Sequence, residues 1–173
     1  MALPSTTLPL AILETLKILH ARLAAAPFPW AITGSVGMAL QGMALAPRDI
    51  DLQSDQAGAY AIQDLLAEFV EQPVALRERE YTRSHFGVLQ VGGVTVEIMG
   101  DVARRGPDGA WLAPPALAAI THRVALAGMD LPVLDLAHEY QAYLAMGRAE
   151  RAEEIRRWLE RGLSADFGSR LNG

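Results

Sequence analysis

Ile12, Leu16, Leu19 and Leu23 recur at four-, three- and four-residue steps near the start of the chain, with Leu13 beside them. Side chains three and four apart share one helical face, so this spacing predicts an amphipathic helix over about residues 8–25, capped by Thr6 or Thr7. Pro27 and Pro29 stop that helix, and Trp30-Ala31-Ile32-Thr33 then reads as a short apolar strand ending at Gly34. Residues 36–42 predict a short helix, Pro47 interrupts, and residues 49–53 alternate polar and apolar side chains as a strand does. Asp55 opens another helix whose buried face is expected to be Ala59, Ile62, Leu65, Leu66 and Phe69, with Pro73 marking its end.

A polar stretch rich in Arg and Glu leads into two strand-like runs, 86–91 and 94–99, joined by Gly92-Gly93, whose glycines accept the positive φ values of a tight hairpin turn. The loop holding Gly106, Pro107, Pro114 and Pro115 separates this region from a C-terminal third. There Asp135 is placed to cap a helix burying Leu136, Tyr140, Tyr143 and Leu144, which Gly147 ends. A last helix over 151–162 turns Ile155, Trp158 and Leu159 inward. The expected organisation is a core over 1–115, a helical segment over 116–163 and a polar tail over 164–173.

With 173 residues, 51% of them hydrophobic, the chain can bury a core of its own, and no apolar run reaches the ~18 residues a bilayer span needs. Glu14, Lys17, His20 and Arg22 break up the N-terminal apolar stretch, so it does not read as a cleavable signal and a cytoplasmic location is the expectation. The absence of cysteine excludes disulfides, thiolate zinc and thiol nucleophiles, while His20, His85, His122 and His138 stand at no metal-ligand spacing. A net charge of -5 disfavours a nucleic-acid partner, which needs a clustered basic surface. Lys17 is the only lysine and falls on the first helix, which disfavours Schiff-base chemistry. P-loop, dinucleotide and nucleophile-elbow motifs are absent too.

What remains is a set of carboxylates. Asp49 and Asp51 stand two apart on a predicted strand and so share a face, with Ile50 and Leu52 entering the core opposite. A hard divalent cation, magnesium above all, offsets the repulsion of such a pair and suits phosphate oxygens. An isolated Asp-Ile-Asp is also what a solvated strand end looks like. Its neighbours give it weight, because Gly34-Ser35 sits at a strand-to-helix junction upstream, where backbone N–H groups and a hydroxyl can hold an anionic phosphate. In 94–98 the alternation sets Val94, Val96 and Ile98 inward and Glu97 on the opposite face, where it would complete a metal site or take the proton of an attacking hydroxyl. Asp101 competes for that task but follows Gly100, where the strand is expected to have ended. His85 fits an exposed strand end better than a cleft.

Gly34-Ser35, Asp49-Ile50-Asp51-Leu52 and Val96-Glu97-Ile98, in that order, resemble the nucleotidyltransferase superfamily that includes DNA polymerase beta and the aminoglycoside and lincosamide nucleotidyltransferases. The resemblance implies an α+β fold with a mixed sheet packed against helices, and a Gly-Ser pair that holds a nucleoside triphosphate. It further implies magnesium on Asp49 and Asp51, with Glu97 as third ligand or base. Where family members often carry Arg or a small residue after the Gly-Ser pair, this chain has Val36, Gly37 and Met38, leaving Arg48 as the candidate phosphate contact. Strand alternation would turn Arg48 away from the metal unless the backbone bends there. The function expected is transfer of a nucleoside monophosphate from a triphosphate to a hydroxyl of a small molecule or protein. The alternative is a non-catalytic module of the same fold that senses nucleotide or binds a protein partner of toxin-antitoxin type.

Overall fold

The structure, a computed structural model, describes residues 8–170, with side chains described through 162. It forms two compact units, Met1–Leu134 and Asp135–Gly173. In the first, helix α1 (Leu10–Leu23) buries Ile12, Leu16, Leu19 and Leu23 as the spacing predicts. It starts after Pro9, whose fixed φ suits a helix start and whose missing N–H costs nothing there. The proposed caps Thr6 and Thr7 lie outside the described residues.

Strands β1 (Trp30–Thr33), β2 (Ile50–Ser54), β3 (Val70–Glu78), β4 (Thr82–Val91), β5 (Val94–Arg105), β6 (Trp111–Leu112), β7 (Thr121–Leu126) and β8 (Met129–Leu134) make one sheet. Its order is β3-β4-β5-β2-β1-β8-β7, with β6 attached to β5. The β2–β5 and β1–β8 pairings are parallel and the rest antiparallel, so the sheet is mixed and the fold is α+β. Gly92 and Gly93 take φ values of 59° and 81° in the β4–β5 hairpin, which is the turn their sequence predicts.

One face of the sheet carries the apolar members of each alternation. Ile32, Ile50, Leu52, Leu89, Val96, Ile98 and Val133 form a cluster with the α1 leucines and with Ala59 and Ile62 of helix α3 (Gln56–Leu65). Asp55 caps α3 by accepting from the Gly58 N–H at 2.6 Å. Leu66 is buried, but Leu65 is 41% exposed and does not belong to the buried face. Leu16 has no exposed surface. Leu16→Ala leaves a void among these side chains and is expected to lower the free energy of unfolding by ~2–5 kcal/mol, read from urea denaturation.

The C-terminal region departs from the sequence reading. Residues 121–134, expected within a helical segment, are the β7–β8 hairpin, so the sheet runs on past position 115. The second unit packs helix α4 (Leu136–Ala145) against helix α5 (Ala149–Arg170), which continues through most of the segment expected as a tail. Helix α4 buries Leu136, Glu139 and Ala142, while Leu144 is exposed. Asp135 occupies the N-cap position without a capping side-chain bond, and Gly147, at φ 70°, follows the helix end.

On α5, Glu153 accepts from Nε of Arg156 at 2.7 Å and from Nε of Arg157 at 2.8 Å. The Arg156 hydrogen bonds foremost, then those of Arg157, hold the Glu153 carboxyl down at about 2. A carboxyl with a lowered folded pKa supports the helix above its ordinary range of 4.5 and loses that support as pH falls toward about 2. The far-UV circular dichroism of wild type and Glu153→Gln should therefore differ slightly at neutral pH and converge across that window. The effect stays small because all three groups are solvated.

Candidate active site

Strand alternation and register decide what the second face of the sheet presents. Ile50 and Leu52 point into the core, so Asp51 points the other way, and it is only half-buried. Val96 and Ile98 do the same on β5 and leave Glu97 half-buried opposite them. The β2–β5 register pairs Asp51 with Glu97, the β1–β2 register pairs Thr33 with Asp51, and the β4–β5 register pairs Val88 with Glu97. Residues in register share a face, so Thr33, Asp51, Glu97 and Val88 form one row across four strands. The two carboxylates are thus cross-strand neighbours. Thr33, buried at one end of this row, was not signalled as more than a strand residue by the sequence.

Gly34 follows Thr33 and opens helix α2 (Gly34–Leu40) at φ 65°, a backbone shape that disfavours any residue with a side chain. A Cβ on Gly34 would stand 2.1 Å from Oδ2 of Asp51. The Asp51 carboxylate therefore lies directly against the Gly34 backbone. Ser35, the next residue, is half-buried in the first turn of α2. The strand-to-helix junction and the carboxylate row are one locus.

Asp49 and Arg48 fall outside the strand. Both lie in a bend immediately before β2, which begins at Ile50 instead of 49, so the period-two argument that paired Asp49 with Asp51 does not reach Asp49. The same bend removes the reason for turning Arg48 away, and Arg48 is exposed. Among the described residues no three His, Asp or Glu side chains gather into a metal cage. Asp51 and Glu97 in register, with Asp49 just upstream, are instead an open platform. That donor set still fits magnesium, which takes one or two carboxylates and completes its shell with water and substrate phosphates.

Two further candidates are placed elsewhere. His85 pairs in register with Gly100, on the face opposite Glu97, where its Nδ1 lies 3.3 Å from the Tyr60 hydroxyl of α3. Strand β5 does not end at Gly100 but continues to Arg105, with Asp101 strained at φ 47° where the β4–β5 register shifts.

The profile of the aminoglycoside-2''-adenylyltransferase family matches residues 15–158. The crystal structure of a candidate nucleotidyltransferase from Thermotoga maritima is 42% identical and superposes with a TM-score of 0.80, covering 90% of this chain and 96% of that one. ANT(2")-Ia, solved in complex with adenylyl-2"-tobramycin, shares the fold at a TM-score of 0.53 and 15% identity, over 92% of this chain and 99% of its own. No curated protein matches the sequence. Among the described residues no helix is long and apolar enough to cross a membrane. With the family profile spanning both the carboxylate strands and the C-terminal helices, the chain is a nucleotidyltransferase and belongs to the aminoglycoside-2''-adenylyltransferase family.

Proposed function

We propose that the chain transfers a nucleoside monophosphate, adenylate foremost, from a triphosphate to a hydroxyl of a small molecule or protein at the Asp51–Glu97 platform. The observation that carries this reading is the contact of Gly34 with the Asp51 carboxylate, beside the register pairing of Asp51 with Glu97. Gly34 and Ser35 would hold the donor phosphates through backbone N–H groups and the Ser35 hydroxyl, with Arg48 reaching them from the bend before β2. Asp49 and Asp51, with Glu97 as third ligand or base, would hold magnesium where those phosphates arrive. When bound, magnesium screens the phosphate charge and that of departing pyrophosphate.

Glu97 is one strand further from Gly34 than Asp51 is, an order that would suit an acceptor hydroxyl on the far side of the α-phosphorus from the leaving group. Its carboxylate would align that hydroxyl and accept its proton as the new O–P bond forms and the bond to pyrophosphate breaks. A triphosphate donor fits a cytoplasmic setting. No observation favours the non-catalytic module.

A screen of four nucleoside triphosphates with magnesium, read first by thermal shift and then by pyrophosphate release with hydroxylated acceptors, tests the reading. ATP should give the largest magnesium-dependent shift. Glu97→Gln is expected to lower kcat by ~10²–10⁴-fold while KM for ATP changes by no more than about threefold. An equal loss in ATP affinity would make Glu97 a donor-binding residue instead of the base.

A further inference from the structure

The face that carries Asp51 and Glu97 does not end with them. Next along the β4–β5 register, Met99 pairs with Phe86, and Phe86 pairs with Ala75 of β3. Phe86 is the diagonal neighbour of Glu97 on that face, roughly 7–8 Å away between Cα atoms. Its ring is half-exposed and carries two guanidinium groups, Arg77 at 5.1 Å and Arg79 at 5.7 Å from the ring centroid. Arg77 donates to Oε1 of Gln72 at 3.1 Å, and among the described residues neither Arg77 nor Arg79 is in an ion pair.

In the neighbouring arginine–aromatic cluster, Arg83 also lies over Trp111, at 5.1 Å and in no ion pair among the described residues, whereas the second guanidinium there is neutralised. Arg105 lies over Trp111 at 4.5 Å but donates to Glu78 at 3.3 Å and to the Gly109 carbonyl at 3.2 Å. Its donors are used within the fold. Arg77 and Arg79 are drawn to Phe86 by the ring quadrupole while both remain exposed, which leaves N–H donors open to solvent. In a chain of net charge -5, an unneutralised pair of guanidiniums beside the reaction face calls for an anionic partner.

We infer that Phe86, Arg77 and Arg79 form the subsite for the acceptor of nucleotidyl transfer, and that this acceptor bears a carboxylate or phosphate beside a planar or apolar body. The inference rests on the reading of Asp51 and Glu97 given above. Sheet order supplies the direction: Gly34 at β1, Asp51 at β2, Glu97 at β5, then Phe86 at β4 and Arg77 at β3. Donor phosphates at the β1 end leave the β4–β3 end for the group whose hydroxyl reaches Glu97. A polycationic aminoglycoside would be repelled by the two guanidiniums, so the acceptor class differs from the tobramycin carried by ANT(2")-Ia.

The test is calorimetry on the full chain, saturated with magnesium and α,β-methylene ATP, using phenyl phosphate and tobramycin as probes. Phenyl phosphate should bind alongside the nucleotide analogue. The double variant Arg77→Gln/Arg79→Gln should weaken it about tenfold or more and leave analogue affinity unchanged. If the glutamine variant melts early, Arg77→Lys/Arg79→Lys keeps charge and stem and should still weaken phenyl phosphate measurably, since the planar forks are gone. The inference is overturned if phenyl phosphate does not bind or displaces the analogue. It is equally overturned if the double variant loses the analogue, or if tobramycin binds with an affinity the double variant leaves intact. Failure of the underlying reading shows separately, as analogue binding indifferent to Asp51→Asn while phenyl phosphate still depends on the arginines, and it removes the acceptor role with its premise.

Discussion

Asp51→Asn should lower pyrophosphate release by about a thousandfold or more while leaving the protein folded. The amide keeps the shape that fits against Gly34 but removes the charge that, with Glu97 in register beside it, is proposed to hold magnesium. Loss of several kcal/mol of charge stabilisation in the transition state is the expected consequence. Asp51 is half-buried outside the apolar cluster, so thermal unfolding without nucleotide should shift little. The discriminating pattern is lost turnover with an unchanged melting temperature. A variant retaining a tenth of wild-type turnover would move the reaction centre away from Asp51.

Gly34→Ala should cost both stability and turnover, through two separable causes. The left-handed backbone at φ 65° penalises any Cβ, and the new methyl would overlap Oδ2 of Asp51 at 2.1 Å. Together these are expected to destabilise the fold by about 2–5 kcal/mol in urea denaturation. Turnover should fall by about a hundredfold or more, because a displacement on the order of 1 Å at the carboxylate proposed to hold the metal is enough for that. Gly93→Ala is the control. Gly93 also has positive φ, at 81°, but a Cβ there would meet nothing within 4 Å. It should lose stability and keep activity.

The elements legible in the sequence were those with a strong local period or a distinctive turn. Helix α1 followed from its apolar spacing, the β4–β5 hairpin from Gly92-Gly93, and the carboxylate face of β2 and β5 from alternation at 50–52 and 96–98. Strand β3 was hidden by its position at the sheet edge, where almost every side chain is exposed and Pro73 argues against a strand. Strand β8 carries Pro132 although it lies between β1 and β7, and in the Ala127-Gly128 turn between β7 and β8 only Gly128, at φ 79°, is a turn residue by type, while Ala127, at φ 49°, is not. Those two features explain why the sheet was expected to stop short.

Within the site, the order Gly-Ser, Asp-Ile-Asp, Glu was visible, and the tertiary register was not. Nothing local shows that Asp51 pairs with Glu97 instead of Thr95, or that Gly34 closes on Asp51, because both depend on strands β1, β2 and β5 coming together. Asp49 shows the converse. A two-residue spacing implies a shared face only while the strand lasts, and here the strand starts one residue later.

Nucleotide binding, magnesium and Asp51 are tied together in the central claim, and calorimetry measures that tie without knowledge of the acceptor. Titration of α,β-methylene ATP into wild type and into Asp51→Asn, each with magnesium and again with EDTA, gives four isotherms. Tight binding only in wild type with magnesium is the predicted result. Binding of equal strength in EDTA, or in Asp51→Asn with magnesium, would contradict it.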